Sequence, residues 1–439
     1  LVAPPYDVID PALQSRLYAR SPYNVVRVDL GITTPSDNDC DNRYTRAAAL
    51  LDRWKAGGVL VRDPEPAVTF VEESFTGPDG RPSVRHGLLA AVRLHDFGEG
   101  VIFPHEETFS GPKEDRYRLM AATGMSLSPV FLLYDLPADE ITSAWRTAAG
   151  EDEPYLAVGD DEGTTTRLWR ETVPERLRFI GEVLAEAPLI IADGHHRYET
   201  ALRYRDHRRS QAPGGETEGR AAHEYVLAYL SNMADPALTI YATHRLVKGL
   251  DPARIAALPE TLASDFVVER LGGGPARGAA APSAAGSTQV AAAAQAQAAI
   301  TAYLKANRRG AFGLWVPDLA APYGLRSRRP AVLEADVPGH IPAYRGLDVV
   351  IMESLIFQKA LGIESGPGTE EHVTYFKDAG DAFARLAAGE FQAGLFMNPT
   401  GLDQVREVAL GGERMPQKAT FFYPKLPTGL VFYDLIGAL

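Results

Sequence analysis

The chain has one cysteine, Cys40, among 439 residues. An intrachain disulfide and a cysteine-rich zinc site are therefore excluded. Cys40 itself falls in the polar run Ser36 to Asn42, which reads as a loop. No apolar run reaches the length that spans a bilayer, and no signal-peptide pattern is visible. A basic surplus is missing too: Lys and Arg total 44 against 57 Asp and Glu, a formal net charge of -13. Duplex-DNA binding rests on positive charge matched to phosphates, and an acidic protein is not drawn to anionic membranes. Also absent are a P-loop, a His-Glu-x-x-His zinc helix and a Gly-x-Ser-x-Gly elbow. Gly272-Gly273-Gly274 leads into low complexity instead of a dinucleotide-binding turn. These absences suit a protein of the reducing cytoplasm with no membrane partner, and they count against nucleic acid as a partner. The chain begins at Leu1, already inside a motif-like stretch, so native residues ahead of it are expected.

What is present is ordinary for a globular protein: 45% apolar and 23% charged residues, with length for two or three domains. Strand and helix patterns interleave, which predicts an α/β (α+β) fold. Strands are expected at Asn24 to Leu30, Ala67 to Phe75, Arg85 to Leu94, Pro129 to Tyr134, Pro188 to Ala192, Tyr225 to Asn232 and Thr239 to Leu246. The second and third would form a hairpin about Gly77-Pro-Asp-Gly80. Helices are expected at Arg43 to Gly57 and Lys113 to Ala122. A composition break, with a mobile Gly/Ala-rich loop at about 272–290, leads toward an Ala-rich helix reaching Asn307. Beyond it, strands at Ala311 to Val316, Val373 to Lys377 and Gly394 to Met397 and helices at Leu347 to Leu361 and Asp381 to Leu386 suggest a second α/β domain. The expected division is 1–250 and 251–439.

The segment Leu189-Ile-Ile-Ala-Asp-Gly-His-His-Arg197 carries the strongest chemistry. An apolar strand runs into Asp193-Gly194, and a helix opens at once. A helix start offers unpaired N–H groups and partial positive charge, and Gly194 would let a ligand approach the backbone. His195, His196 and Arg197 add cationic or donor groups there, so the segment reads as an anion site. The bland alternative is a helix capped by Asp193 with solvated basic residues. Cations in a first turn oppose the dipole and cost stability without an anion, which weakens that alternative in favour of an anion that docks there. Adjacent His195 and His196 diverge by about 100° on a helix, which argues against their sharing a metal.

Other candidates are less local. Met415-Pro-Gln-Lys-Ala-Thr-Phe-Phe-Tyr-Pro-Lys425 gathers Lys418, Lys425 and three aromatics, as a small-molecule pocket would; either lysine can neutralise phosphate as a point charge. The alternative is a strand with alternating faces. Thr243-His-Arg245 could add to an anion pocket, or be an ordinary surface pair. Pro4-Pro5-Tyr6-Asp7 is a rigid turn that could simply pack Tyr6.

Asp193-Gly-His-His-Arg197 resembles the second box of the ParB/sulfiredoxin-like superfamily, best matched by its free serine kinases, and Pro104-His-Glu-Glu107 resembles the box ahead of it. Across nearly its whole length the chain resembles a larger bacterial and archaeal family related to ParB, through Ala3-Pro-Pro-Tyr-Asp-Val-Ile9, Pro104-His-Glu-Glu-Thr108, Ser128-Pro129, Asn398-Pro-Thr400 and Met415-Pro-Gln-Lys418. The resemblance implies a ParB/sulfiredoxin-like core with large insertions. It implies that Gly194, His195, His196 and Arg197, with His105, hold nucleotide phosphates. Glu106, or secondarily Glu107, would act as base toward a substrate hydroxyl, with Asp193 catalytic and a ligand of Mg²⁺. The nucleotide would be ATP or ADP, with CTP as an alternative, and the partner a small metabolite. Self-association is left open. In the compact kinases the boxes lie close in sequence; here a long insertion separates Glu106 from Asp193. The expected function is phosphoryl transfer to a small, serine-like hydroxyl. A non-catalytic nucleotide sensor is the alternative, with a DNA-partitioning role third.

Overall fold

Alternating and continuous apolar runs become two sheets. The structure, a computed structural model, describes residues 1–108, 110–136, 140–150, 153–211, 221–272, 287–319, 321–366 and 368–437. The chain divides into two units: Leu1–Thr239 with Phe422–Leu439, and Ile240–Phe421. The segment Phe422–Leu439 thus groups with the first unit.

In the first unit the strands are β1 (Val68–Thr76), β2 (Pro82–Arg93), β3 (Ile102–Pro104), β4 (Met125–Ser126), β5 (Val130–Tyr134), β6 (Leu156–Gly159), β7 (Thr165–Glu171), β8 (Leu189–Asp193) and β9 (Tyr225–Asn232). All but β4, which pairs with the short strand Tyr433–Asp434, form one sheet in the order β3-β8-β5-β9-β2-β1-β7-β6. The pairs β3/β8 and β5/β9 are parallel; the β1/β2 hairpin is antiparallel, as expected. Strand β5 is buried throughout and β9 nearly so, which is why both read as unbroken apolar runs. Helices α1 (Pro11–Arg20), α2 (Val26–Asp29), α3 (Arg43–Ala56), α4 (Ser110–Thr123), α5 (Glu140–Ala149), α6 (Pro174–Ala185) and α7 (His195–Gln211) complete the unit. Met120, Ile141, Trp145, Ile180, Tyr198 and Tyr204 from four of them join the sheet's core.

The expected strand at Asn24 to Leu30 is instead a helical turn, Val26–Asp29. The Asn24 side chain accepts from Val26 N–H at 3.0 Å and donates to the Val2 carbonyl at 3.0 Å, which starts the turn and ties it down. Val25, Val26 and Val28 then pack with Leu17, Leu51 and Trp54. Burying each valine stabilises by about 1.5–3 kcal/mol, more than a β-branched residue loses in a helix.

The second unit holds a six-stranded antiparallel sheet in the order Phe266–Arg270, Tyr323–Ser327, Ala311–Trp315, Ala393–Met397, His244–Val247, Val373–Phe376. The Ala-rich helix Ser287–Ala306 packs on it through Ala293, Ala296, Ile300 and Leu304. A Cβ on Gly313 would stand 2.3 Å from Ile300, so glycine there lets helix and sheet close up. Most of the expected mobile loop lies outside the described residues. The expected helix at Leu347 to Leu361 is present as Asp348–Ile351 running into a π-helical stretch, Met352–Leu361. Among the described residues no helix is long and apolar enough to cross a membrane.

Candidate functional site

The two boxes meet because β3 and β8 pair in parallel, with Pro104 opposite Ile191. Glu106 lies two residues beyond Pro104 and Asp193 two beyond Ile191, so both stand at the same carboxyl edge. Such an edge is where open α/β sheets hold ligands. A hydrogen bond across the boxes reinforces the pairing: the His105 backbone N–H donates to His195 Nε2 at 3.2 Å. The rings of His105 and His195 meet edge to face at 4.8 Å. His105 is fully buried, its Nδ1 pairs with the Ile191 carbonyl, and burial pushes its pKa down to about 4. His105 is therefore a neutral strut between strands and not an exposed phosphate contact. His195 is buried, His196 and Glu106 are half-buried, and Glu107 is exposed.

The helix start differs from the expectation of a bare positive end. Arg197 Nη2 donates to Asp193 Oδ2 at 2.6 Å, and Nη1 donates to the Pro129 carbonyl. Lys425 Nζ donates to Asp193 Oδ1 at 2.6 Å. The negative partner that the dipole argument requires is thus internal: one carboxylate faced by two cations. Burial pushes the Asp193 carboxyl up, but Lys425 and Arg197 outweigh it and hold the group well below the usual carboxylate range. Gly194 has φ 87°, and a Cβ there would come within 2.8 Å of Arg197 Nε. Glycine suits the left-handed turn, and any side chain there would have to push the Arg197 guanidinium aside. A pocket of about 280 Å³, open mouth included, is lined by Pro5, Phe131, Asp193, Arg197, Tyr229 and Lys425 among others.

Asp193 is the residue expected to hold Mg²⁺. Asp193 commits both oxygens to cations, and among the described residues no three His, Cys, Asp or Glu side chains gather as a metal site. Lys418 belongs to the second unit, where its carbonyl accepts from Arg245 at 3.3 Å. Thr400 Oγ1 bonds the Ala419 carbonyl and Asn398 bonds carbonyls at the end of the Ala-rich helix, so these stretches brace the second unit.

Sequence reasoning missed the residue that delivers Lys425. Arg85 and Glu73 oppose each other across the hairpin and are fully buried. Arg85 donates to Glu73 Oε2 from Nη2 at 2.6 Å and from Nε at 2.9 Å, to the Tyr423 carbonyl at 3.3 Å and to the Pro424 carbonyl at 2.8 Å. Tyr229 donates to the same Glu73 oxygen at 3.0 Å. An Arg and a Glu set opposite each other by the hairpin register were the available signal. Residue 428 is tied likewise: Ala3 and Thr428 exchange backbone hydrogen bonds of 3.1 and 2.8 Å, and Ser128 bonds Thr428 at 2.8 Å.

A parallel strand pair ending in paired charges, in an α/β protein of two units, defines the class. The chain belongs to the family described as "Protein of unknown function (DUF1015)", whose model matches residues 1–350. No curated protein matches it. Among solved structures it is similar to a conserved hypothetical protein from Pyrococcus furiosus, at 13% identity and TM-score 0.34, covering 80% of this chain and 95% of that one. It is also similar to a free serine kinase variant in complex with ADP (13%, TM-score 0.34, 76% and 87% covered) and to a free serine kinase in complex with AMP (14%, TM-score 0.33, 76% and 86%). These scores are too low to define a shared fold, so the chemistry below rests on this chain's own residues.

Proposed function

We propose that the first unit binds a nucleotide, ATP or ADP, with its phosphates on Lys425, Arg197 and the start of α7, and transfers a phosphoryl group to the hydroxyl of a small, serine-like metabolite. One observation supports this above the rest: the β3/β8 register brings Glu106 and the Asp193 turn to one carboxyl edge despite the insertion between them. In the reaction Glu106 takes the hydroxyl proton as that oxygen attacks the terminal phosphorus. The bond to the departing nucleotide oxygen breaks, and its charge passes to Lys425 and Arg197. Phosphate oxygens compete with Asp193 for those cations, so Asp193 acts as an internal placeholder for the anion. The edge β3, β8 and α7 would be the ParB/sulfiredoxin-like core, with the other strands as additions, in a cytoplasmic protein.

A sensor reading draws on the same placeholder. Entry of an anion must open the Asp193 ion pairs, and that rearrangement could itself be the output. Glu106→Gln separates the two. Calorimetry with ATP should give an affinity within about twofold of the parent, while phosphoryl transfer to L-serine, followed by ³¹P NMR, should fall by at least ~10²-fold. Transfer that survives the substitution removes Glu106 as base; absence of transfer in the parent, with ATP bound, favours the sensor. Absence of ATP binding ends both.

A further inference from the structure

A second, larger cavity lies on the other side of Arg197, wholly within the first unit. It measures about 390 Å³ with its opening, and Asp29, Arg116, Met120, Met125 and Leu127 line it together with Arg197. Its floor is a deliberately held acid. Asp29, on the short helix α2, is 4% exposed and accepts from Arg116 Nη1 at 3.0 Å through Oδ1. Its other oxygen, Oδ2, is buried with no hydrogen-bond partner. An unpaired buried carboxylate oxygen costs about 1–3 kcal/mol or more, and such a group in a native fold calls for a ligand, an ordered water or a catalytic role.

The surroundings say which ligand chemistry could satisfy it. Every nitrogen of Arg116 already donates: Nη1 to Asp29, and Nε and Nη2 to Asp115 Oδ2 at 2.8 and 2.5 Å. The Tyr6 ring covers its guanidinium at 4.1 Å, which gives the Pro4-Pro5-Tyr6 turn its task. Arg197 is likewise engaged by Asp193 and the Pro129 carbonyl. An anionic head group would therefore face the Asp29 carboxylate beside an Arg116 already shared between Asp29 and Asp115. A donor head group can satisfy the buried, unpartnered Asp29 Oδ2, and the methionine and leucine walls suit a short apolar body.

We propose that this cavity binds a small molecule through a hydrogen-bond donor, a hydroxyl or a protonated amine, placed on Asp29 Oδ2, with its apolar body against Met120, Met125 and Leu127. The site stands on this geometry alone. Its further role as the seat of the phosphoryl acceptor, next to the pocket that shares Arg197, rests on the reading given above.

The test uses three probes of equal length, n-propanol, propylammonium and propionate, in ligand-observed NMR titrations of the full chain without nucleotide. Propanol or propylammonium should bind and propionate should not; whichever of the two binds tighter identifies the donor. Asp29→Asn keeps an oxygen for Arg116 and turns a donor toward the cavity. It should weaken the amine by about tenfold and let propionate bind. Ser126 lines the same cavity, and Ser126→Val adds bulk to its wall and should weaken binding of both donors; this variant carries the test if Asp29→Asn does not fold. Equal binding of all three probes, no binding of any, or binding unchanged by both substitutions overturns the proposal. Because nucleotide is omitted, these outcomes are independent of whether ATP binds.

Discussion

Two arginines, each preceded by histidine, show what separates a site from a brace. Arg197 follows His196 at the mouth of a pocket and shares Asp193 with Lys425. Arg245 follows His244 inside the second unit's sheet, where it is 1% exposed and donates to the Thr243 carbonyl, to Met397 Sδ at 2.9 Å and to the Lys418 carbonyl. The first cation is balanced by a carboxylate that lines a pocket, and on the function proposed above an incoming anion replaces it. The second is clasped by carbonyls and a thioether that form part of the fold. A His-Arg pair alone therefore predicts nothing; an acid, a left-handed glycine and a second cation at a strand's end make the difference.

The contrast can be broken in three ways. Arg245→Ala should cost most, about 3–5 kcal/mol in urea unfolding, through a cavity and orphaned carbonyls, and should leave ATP affinity unaltered. Arg197→Ala should do the reverse, and equal effects of both would erase the distinction. Next comes acid. Burial pushes the pKa of His105, and of His244, where Arg245 adds to it, down to about 4 from an ordinary 6.5. The folded state then binds fewer protons than the unfolded, so stability is full above 6.5 and declines as pH falls toward 4. Each histidine contributes about 3 kcal/mol to that decline. His105→Gln and His244→Gln should each flatten the acid limb of the unfolding free energy, and a limb unchanged by either shows that the ring is not held neutral. The smallest effect is Gly194→Ala, which should cost about 1–2 kcal/mol for the left-handed backbone. By displacing Arg197 it should also weaken ATP binding, which calorimetry would detect.

The sheet strands and long helices were legible because their apolar runs and breakers are local. Val68–Thr76, Val130–Tyr134, Leu189–Asp193 and Arg43–Ala56 match their expected spans to within about two residues. The turn at Val26–Asp29 was not legible, since its helix depends on Asn24 reaching back to Val2 and on a core assembled from four helices and the turn before β5. The strand-to-helix turn at Asp193 was legible, but its internal ion pairs were not. Lys425 was chosen for its charge, and nothing in its neighbourhood foretold a carboxylate 232 positions earlier in the chain. Arg85 and Asp29 escaped notice because a charged residue in an amphipathic stretch is ordinarily solvated, and only tertiary packing buries them.

The return of Phe422–Leu439 to the first unit sets a timetable for synthesis. A ribosome that has completed the second unit has still not released Lys425, so the nascent first unit waits with Asp193 held by Arg197 alone and Arg85 lacking the carbonyls of Tyr423 and Pro424. The full set of ion pairs about Asp193 therefore forms only after the chain of the second unit has been made.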